Sequence, residues 1–157
     1  MSKKIFISTV PFGSADPTVI NLLKSSGHEF TINPIGRKLL PEELKELISP
    51  YHGLIAGTEE INKDVLSAAK NLECISRVGI GLDSVDLNFC RDNNIAVSYT
   101  PSGPSEAVAE MTIALMIDLL RSLSQSNLEL RSGKWNRYFG KRLALSKIGI
   151  IGFGRII

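Results

Sequence analysis

CISRVGIGLDSVDLNFCRDNNIAVSYT, residues 74–100, decides the fold. Its opening residues, 74–78, are a short apolar and β-branched run that ends on two glycines, Gly79 and Gly81. Asp86 then stands where a helix N-cap is expected, before a helix predicted over 86–92, and 95–99 reads as another strand. Two short strands joined by a helix require a crossover. Right-handed crossovers generate parallel strands in a sheet with helices on its faces.

Upstream the same unit repeats. Strands are predicted at 4–9, 29–33 and 53–56. Helices are predicted at 17–26, at 41–48 with Pro41 suited to the first turn, and at 62–70 with Asn62 as cap. Together with 74–100 this makes an α/β domain over residues 1–100, a doubly wound parallel sheet of flavodoxin-like type, expected to be covered on both faces.

Downstream the pattern changes. TPSGPS, residues 100–105, has two prolines and a glycine in six positions, which suits a hinge. Ser105 is placed to cap one long helix running to 131, since no proline or glycine interrupts before Gly133. Its middle, MTIALMIDLL, is apolar on nearly every face, as expected of a helix covered on two sides, with a second copy of the chain as one cover. Residues 101–157 are thus read as hinge, long helix and the first strand, 147–151, of an incomplete nucleotide-binding domain.

Composition narrows the function. Eighteen Lys and Arg against sixteen Asp and Glu give a net charge of only +2, and the basic residues are scattered, so nucleic acid is not an expected partner. The N-terminal residues MSKKIFIST lack a cleavable apolar signal. The stretch 111–120 is broken by Thr112 and Asp118 and is far shorter than the roughly 20 residues that span a bilayer. Cys74 and Cys90 form no CxxC pair and have no histidine cluster near them. Buried free thiols in a reducing cytoplasm, and no metal site, are expected.

Two glycine loops carry the candidate chemistry. Behind the strand at 74–78, consecutive backbone N–H groups in a loop shaped by Gly79 and Gly81 could hold a carboxylate, with Arg77 adding charge. The same glycines would equally shape a plain turn, with Asp86 as a cap. At the end of the chain, Gly152, Phe153 and Gly154 follow a predicted strand, as in the turn that cradles a pyrophosphate at a helix N-terminus. Ile157 stands where a third glycine normally packs helix on strand, and GFG at a strand end is also an ordinary tight turn. His28, His52, Glu110, Glu42, Glu43 and Glu46 are read as surface or helix-face residues.

The ordered set ISRVGIGLDSVDL, TPSGPSEAVAE, LRSGKW and GIIGFGRI resembles the D-isomer-specific 2-hydroxyacid dehydrogenases, phosphoglycerate dehydrogenase-like members above all. The resemblance spans about residues 53–156. It implies an NAD-dependent oxidoreductase acting on the CH–OH of a small 2-hydroxy acid, 3-phosphoglycerate or a related acid, or on the matching 2-oxo acid. It further implies that Arg77, Val78 and Gly79 seat the substrate carboxylate and that Ile80 lies beside the nicotinamide. Gly152 to Gly154 with Arg155 and Ile156 would contact the cofactor diphosphate, and the helix at 105–131 would form a homodimer. Where some phosphoglycerate enzymes carry an arginine for the substrate phosphate, this chain has Gly57 and Thr58. Pro104 replaces a common hinge asparagine. The family's catalytic arginine, glutamate and histidine have no counterpart here, so no catalytic residue is expected in the chain, which reads as truncated and inactive by itself. The competing reading is a non-enzymatic α/β module that binds an anion or a protein.

Overall fold

A computed structural model describes residues 2–152 and 154. They divide into two compact units between Pro101 and Ser102.

In the first unit, five strands alternate with helices: β1 (Lys4–Ile7), α1 (Thr18–Ser25), β2 (Glu29–Ile32), α2 (Pro41–Ile48), β3 (Gly53–Ala56), α3 (Lys63–Ala68), β4 (Cys74–Arg77), α4 (Leu87–Asp92) and β5 (Ala96–Tyr99). All pair in parallel, in the order β2-β1-β3-β4-β5. The register aligns Phe6 with Leu54, Leu54 with Ile75 and Ile75 with Val97, one apolar row across the sheet. Side chains alternate between faces, so this row meets the buried stripe of the helices, Leu44 and Ile48 of α2, Val65 and Leu66 of α3, and Cys90 of α4. Phe6 also stacks against Tyr51, ring centres 5.0 Å apart.

The caps form as expected at two helices. Asn62 Oδ1 accepts from the N–H groups of Asp64 and Val65 at 3.1 Å, and Asp86 Oδ1 accepts from Phe89 N–H at 2.9 Å. Pro41 opens α2, where Glu43 accepts from the Leu40 N–H at 2.9 Å and receives both Arg37 amino groups.

The second face of the sheet is covered less than expected. With this strand order, right-handed crossovers send α2, α3 and α4 to one side and only α1 to the other. No residue of α1 is buried, and Cys74, Ser76, Ala96 and Ser98 are exposed on that side. Of the two thiols expected to be buried, Cys74 is therefore open and Cys90 is enclosed. Burial, reinforced by the charge of Asp86, pushes the Cys90 thiol above its ordinary range.

The second unit holds α5 (Ser105–Arg121), α6 (Leu123–Arg131) and a 3₁₀ turn, Leu143–Leu145. The single long helix expected over 105–131 is broken at Ser122, which is left-handed at φ 52°, ψ 41°. The Asp118 carboxylate accounts for the break. It accepts from the Ser124 N–H at 2.7 Å and the Ser124 hydroxyl at 2.6 Å, offering the start of α6 a partner outside the helical ladder. Ser105 does not cap α5. Pro104 occupies the cap position with no side-chain bond, and the Ser105 hydroxyl is buried without a partner. The strand expected at 147–151 is absent, because no neighbouring strand in this unit, among the described residues, offers its backbone groups a ladder.

Candidate functional site

Parallel sheets present their loops at the C-terminal edge, where ligands of open α/β folds bind. Here that edge is formed by the segments after β1, β3, β4 and β5. Hydrogen bonds between backbones join them. Val78 N–H donates to Ala56 O at 2.8 Å, and Ile61 N–H donates to Ser84 O at 2.7 Å. Asp86 N–H returns to Ile61 O at 3.0 Å, so the turn after β3 braces the far end of the 78–86 loop.

The glycine loop differs from its expected form in one respect. Val78 and Gly79 do not offer free N–H groups. That of Val78 belongs to the ladder with Ala56, and that of Gly79 donates to Thr100 Oγ1 at 2.8 Å. The N–H groups of Ile80 and Gly81, like those of Leu82, Asp83 and Ser84 further along the loop, have no acceptor among the described residues. The reason is register: Arg77 pairs with Tyr99, which brings the residue after β5 beside the residues after β4.

Arg77, the last residue of β4, folds its side chain back over the loop. Its Nη1 donates to Val78 O, and its Nε is buried without a partner. Gly79 is what makes room. Its φ of +146° is one that side chains rarely allow, and a Cβ there would sit 2.8 Å from Arg77 Cζ. On the far side, the Asp83 carboxylate lies 3.1 Å from where a Gly81 Cβ would be. One cation and one anion thus flank the loop.

Between β1 and β3 lies a residue that the sequence did not single out. Glu59 is only 2% exposed. Its carboxylate accepts from the Ser8 hydroxyl and from the Gly57 N–H, the latter at 2.9 Å. A Cβ on Gly57 would come within 2.8 Å of Thr9 Oγ1 and 3.0 Å of Glu59 Oε2, so a side chain at this position would press on both. TEE looks like a solvated turn in sequence. Only the pairing of β1 with β3 reveals that its first glutamate points inward.

His28 and His52 lie at the opposite, N-terminal edge, where each Nδ1 accepts a backbone N–H, from Lys3 at 3.3 Å and Lys4 at 3.2 Å. Among the described residues, no group of His, Cys, Asp and Glu could hold a metal ion, and no helix is long and apolar enough to cross a membrane.

At the end of the second unit, Gly152 has φ +86° and Gly154 has open space around it. Phe153, Arg155 and Ile156, expected to contact a cofactor, lie outside the described residues. No strand precedes this turn among the described residues.

Comparison with known proteins gives the same family from several directions. Residues 5–153 match the model for the D-isomer specific 2-hydroxyacid dehydrogenase catalytic domain. The chain is 33% identical over 157 residues to D-3-phosphoglycerate dehydrogenase of Sus scrofa, covering 98% of this chain and 28% of that enzyme. Its fold superposes with TM-score 0.85 on a Polaromonas sp. JS6 66 protein assigned to the NAD-binding D-isomer specific 2-hydroxyacid dehydrogenases, at 25% identity, over 99% of this chain and 50% of that one. Against the NAD+-bound 3-phosphoglycerate dehydrogenase of Entamoeba histolytica the TM-score is 0.71 at 27% identity, over 91% of this chain and 44% of the other. The chain spans less than half the length of the curated relatives it matches.

Proposed function

The chain belongs to the D-isomer-specific 2-hydroxyacid dehydrogenase family, and from that premise we propose that it is the carboxylate-binding portion of an NAD-dependent oxidoreductase acting on a small 2-hydroxy acid or its 2-oxo partner. The observation that carries this reading is the adjacent, unengaged N–H groups of Ile80 and Gly81 in the loop that follows Arg77 at the C-terminal edge of the sheet. A carboxylate has two oxygens to satisfy, and adjacent backbone donors supply hydrogen bonds that do not shift with pH. Val78 contributes through its carbonyl, which holds Arg77 in place, and Gly79 through the space it leaves.

Residues 1–100 are the substrate domain in this proposal, 100–105 the hinge, and 101–157 the entry to a nucleotide domain in which NAD would bind at 152–156. With Gly57 and Thr58 where a phosphate-binding arginine would stand, a substrate without a phosphate fits better than 3-phosphoglycerate. The exposed apolar side chains of α5, Met111, Leu115 and Leu119 among them, support a homodimer through this helix. The free thiols of Cys74 and Cys90 support a reducing, cytoplasmic setting.

The test is a titration of the isotope-labelled chain with glycolate, the smallest 2-hydroxy acid, followed by amide NMR. Saturable shifts should centre on Ile80 and Gly81. Shifts confined to other parts of the chain, or none that saturate, overturn the assignment.

A further inference from the structure

The bond from Gly79 N–H to Thr100 Oγ1 puts a hydroxyl on the very group that a carboxylate would first be expected to use. Thr100 is held there twice. Its own N–H donates to Gly79 O at 3.1 Å, so the two residues clasp each other in both directions. Its side chain is β-branched and therefore stiff about χ1, which opposes swinging the hydroxyl away. Thr100 is exposed, and its hydroxyl hydrogen has no acceptor among the described residues.

A hydroxyl that accepts one hydrogen bond is polarised into a better donor for the next. We infer that Thr100 is a further substrate-binding residue, whose hydroxyl accepts the Gly79 N–H and donates its own hydrogen to the carboxylate of the acid. The inference rests on the reading of the 78–81 loop as a carboxylate seat. The donor set facing the acid is then Ile80 N–H, Gly81 N–H and Thr100 O–H, with Gly79 N–H one bond behind. The alternative is displacement, in which the carboxylate ejects the hydroxyl and takes the Gly79 N–H directly. The two differ in sign. A relay loses affinity when the hydroxyl is removed, whereas a competitor's removal raises it.

The experiment compares glycolate titrations of the wild-type chain with Thr100→Val, Thr100→Ala and Thr100→Ser, followed at the Ile80 and Gly81 amides. Valine keeps the branched shape and the backbone clasp, alanine guards against a fold change peculiar to valine, and serine restores the hydroxyl. The relay predicts binding about tenfold weaker in the valine and alanine variants, the scale of one hydrogen bond to a charged group. Serine should lie within about twofold of wild type, since its hydroxyl restores that bond. Unchanged or tighter binding in Thr100→Val overturns the relay while leaving the seat intact. Failure of the wild type to bind glycolate at the Ile80 and Gly81 amides overturns the seat, and the relay with it.

Discussion

Replacing Gly79 by alanine probes how the loop is built. Two costs are expected, and they can be separated. The first is backbone strain, because φ of +146° is a conformation that side chains rarely adopt, and holding a residue there costs about 1–3 kcal/mol. The second is displacement of Arg77, since the new Cβ would press on the guanidinium, 2.8 Å from Cζ and 3.2 Å from Nη2. Arg77 must swing out, losing the charged hydrogen bond to Val78 O, at about 1.5–3 kcal/mol. The sum, about 2.5–6 kcal/mol, is a large share of the 5–15 kcal/mol that stabilises a typical domain. Urea denaturation of the chain followed by circular dichroism should show a lower midpoint with little change in slope. In an Arg77→Ala background the displacement cost vanishes and only strain remains, so Gly79→Ala should cost about 1.5–3 kcal/mol less there than in the wild type. Equal costs in both backgrounds would refute the packing of Arg77 on Gly79. A cost below about 0.5 kcal/mol in the wild type would refute the strained loop as well.

Three further outcomes follow from other parts of the chain. Glu59→Ala leaves the Gly57 N–H without its acceptor and the Ser8 hydroxyl with Ile55 O alone, and should cost about 1–3 kcal/mol in thermal or urea unfolding, with Glu59→Gln recovering part of it by keeping an acceptor. Glu43 is held down to about 2, first by its bonds from Arg37 and next by the Leu40 N–H. A lowered carboxylate pKa gives stability that is present above the unfolded value, near 4.5, and lost as pH falls toward 2. Glu43→Gln should therefore flatten the acid limb of the stability curve between those values, and an unchanged limb would sink the assignment. Leu115, exposed on α5, should lie in the homodimer contact, so Leu115→Lys should shift sedimentation toward monomer, whereas a wild type that sediments as monomer at all concentrations removes the dimer.

Periodicity and caps made the first unit legible because its signals are local. Asn62 and Asp86 cap the helices they precede, and Pro41 opens the helix it begins, all through bonds within one turn. What escaped notice was set by partners distant in sequence. Thr100 meets Gly79 because β5 pairs with β4, and Glu59 turns inward because β1 lies beside β3. The break at Ser122 is a local feature that still went unseen. Gly and Pro are the ordinary helix terminators, while here a serine takes the left-handed turn under the hold of Asp118. The strand expected at 147–151 had the right composition, but a strand needs a neighbour, and sequence composition does not supply one.

The position of the candidate site within the sheet also has a physical reason. In the order β2-β1-β3-β4-β5 the direction of winding reverses between β1 and β3, the crevice where such sheets ordinarily take a ligand. The Glu59 carboxylate is buried there. Glu59 takes the Ser8 hydroxyl and the Gly57 N–H. One strand further on along the same edge, after β4, the Ile80 and Gly81 N–H groups have no acceptor among the described residues. The turn that carries Glu59 also continues to Ile61, whose backbone bonds to Ser84 and Asp86 brace the far end of the 78–86 loop. Glu59 is therefore tied, through Ile61, to the loop proposed as the carboxylate seat. Glu59→Ala should accordingly perturb the Ile80 and Gly81 amides in the absence of any ligand, an effect that a purely local buried carboxylate would not produce.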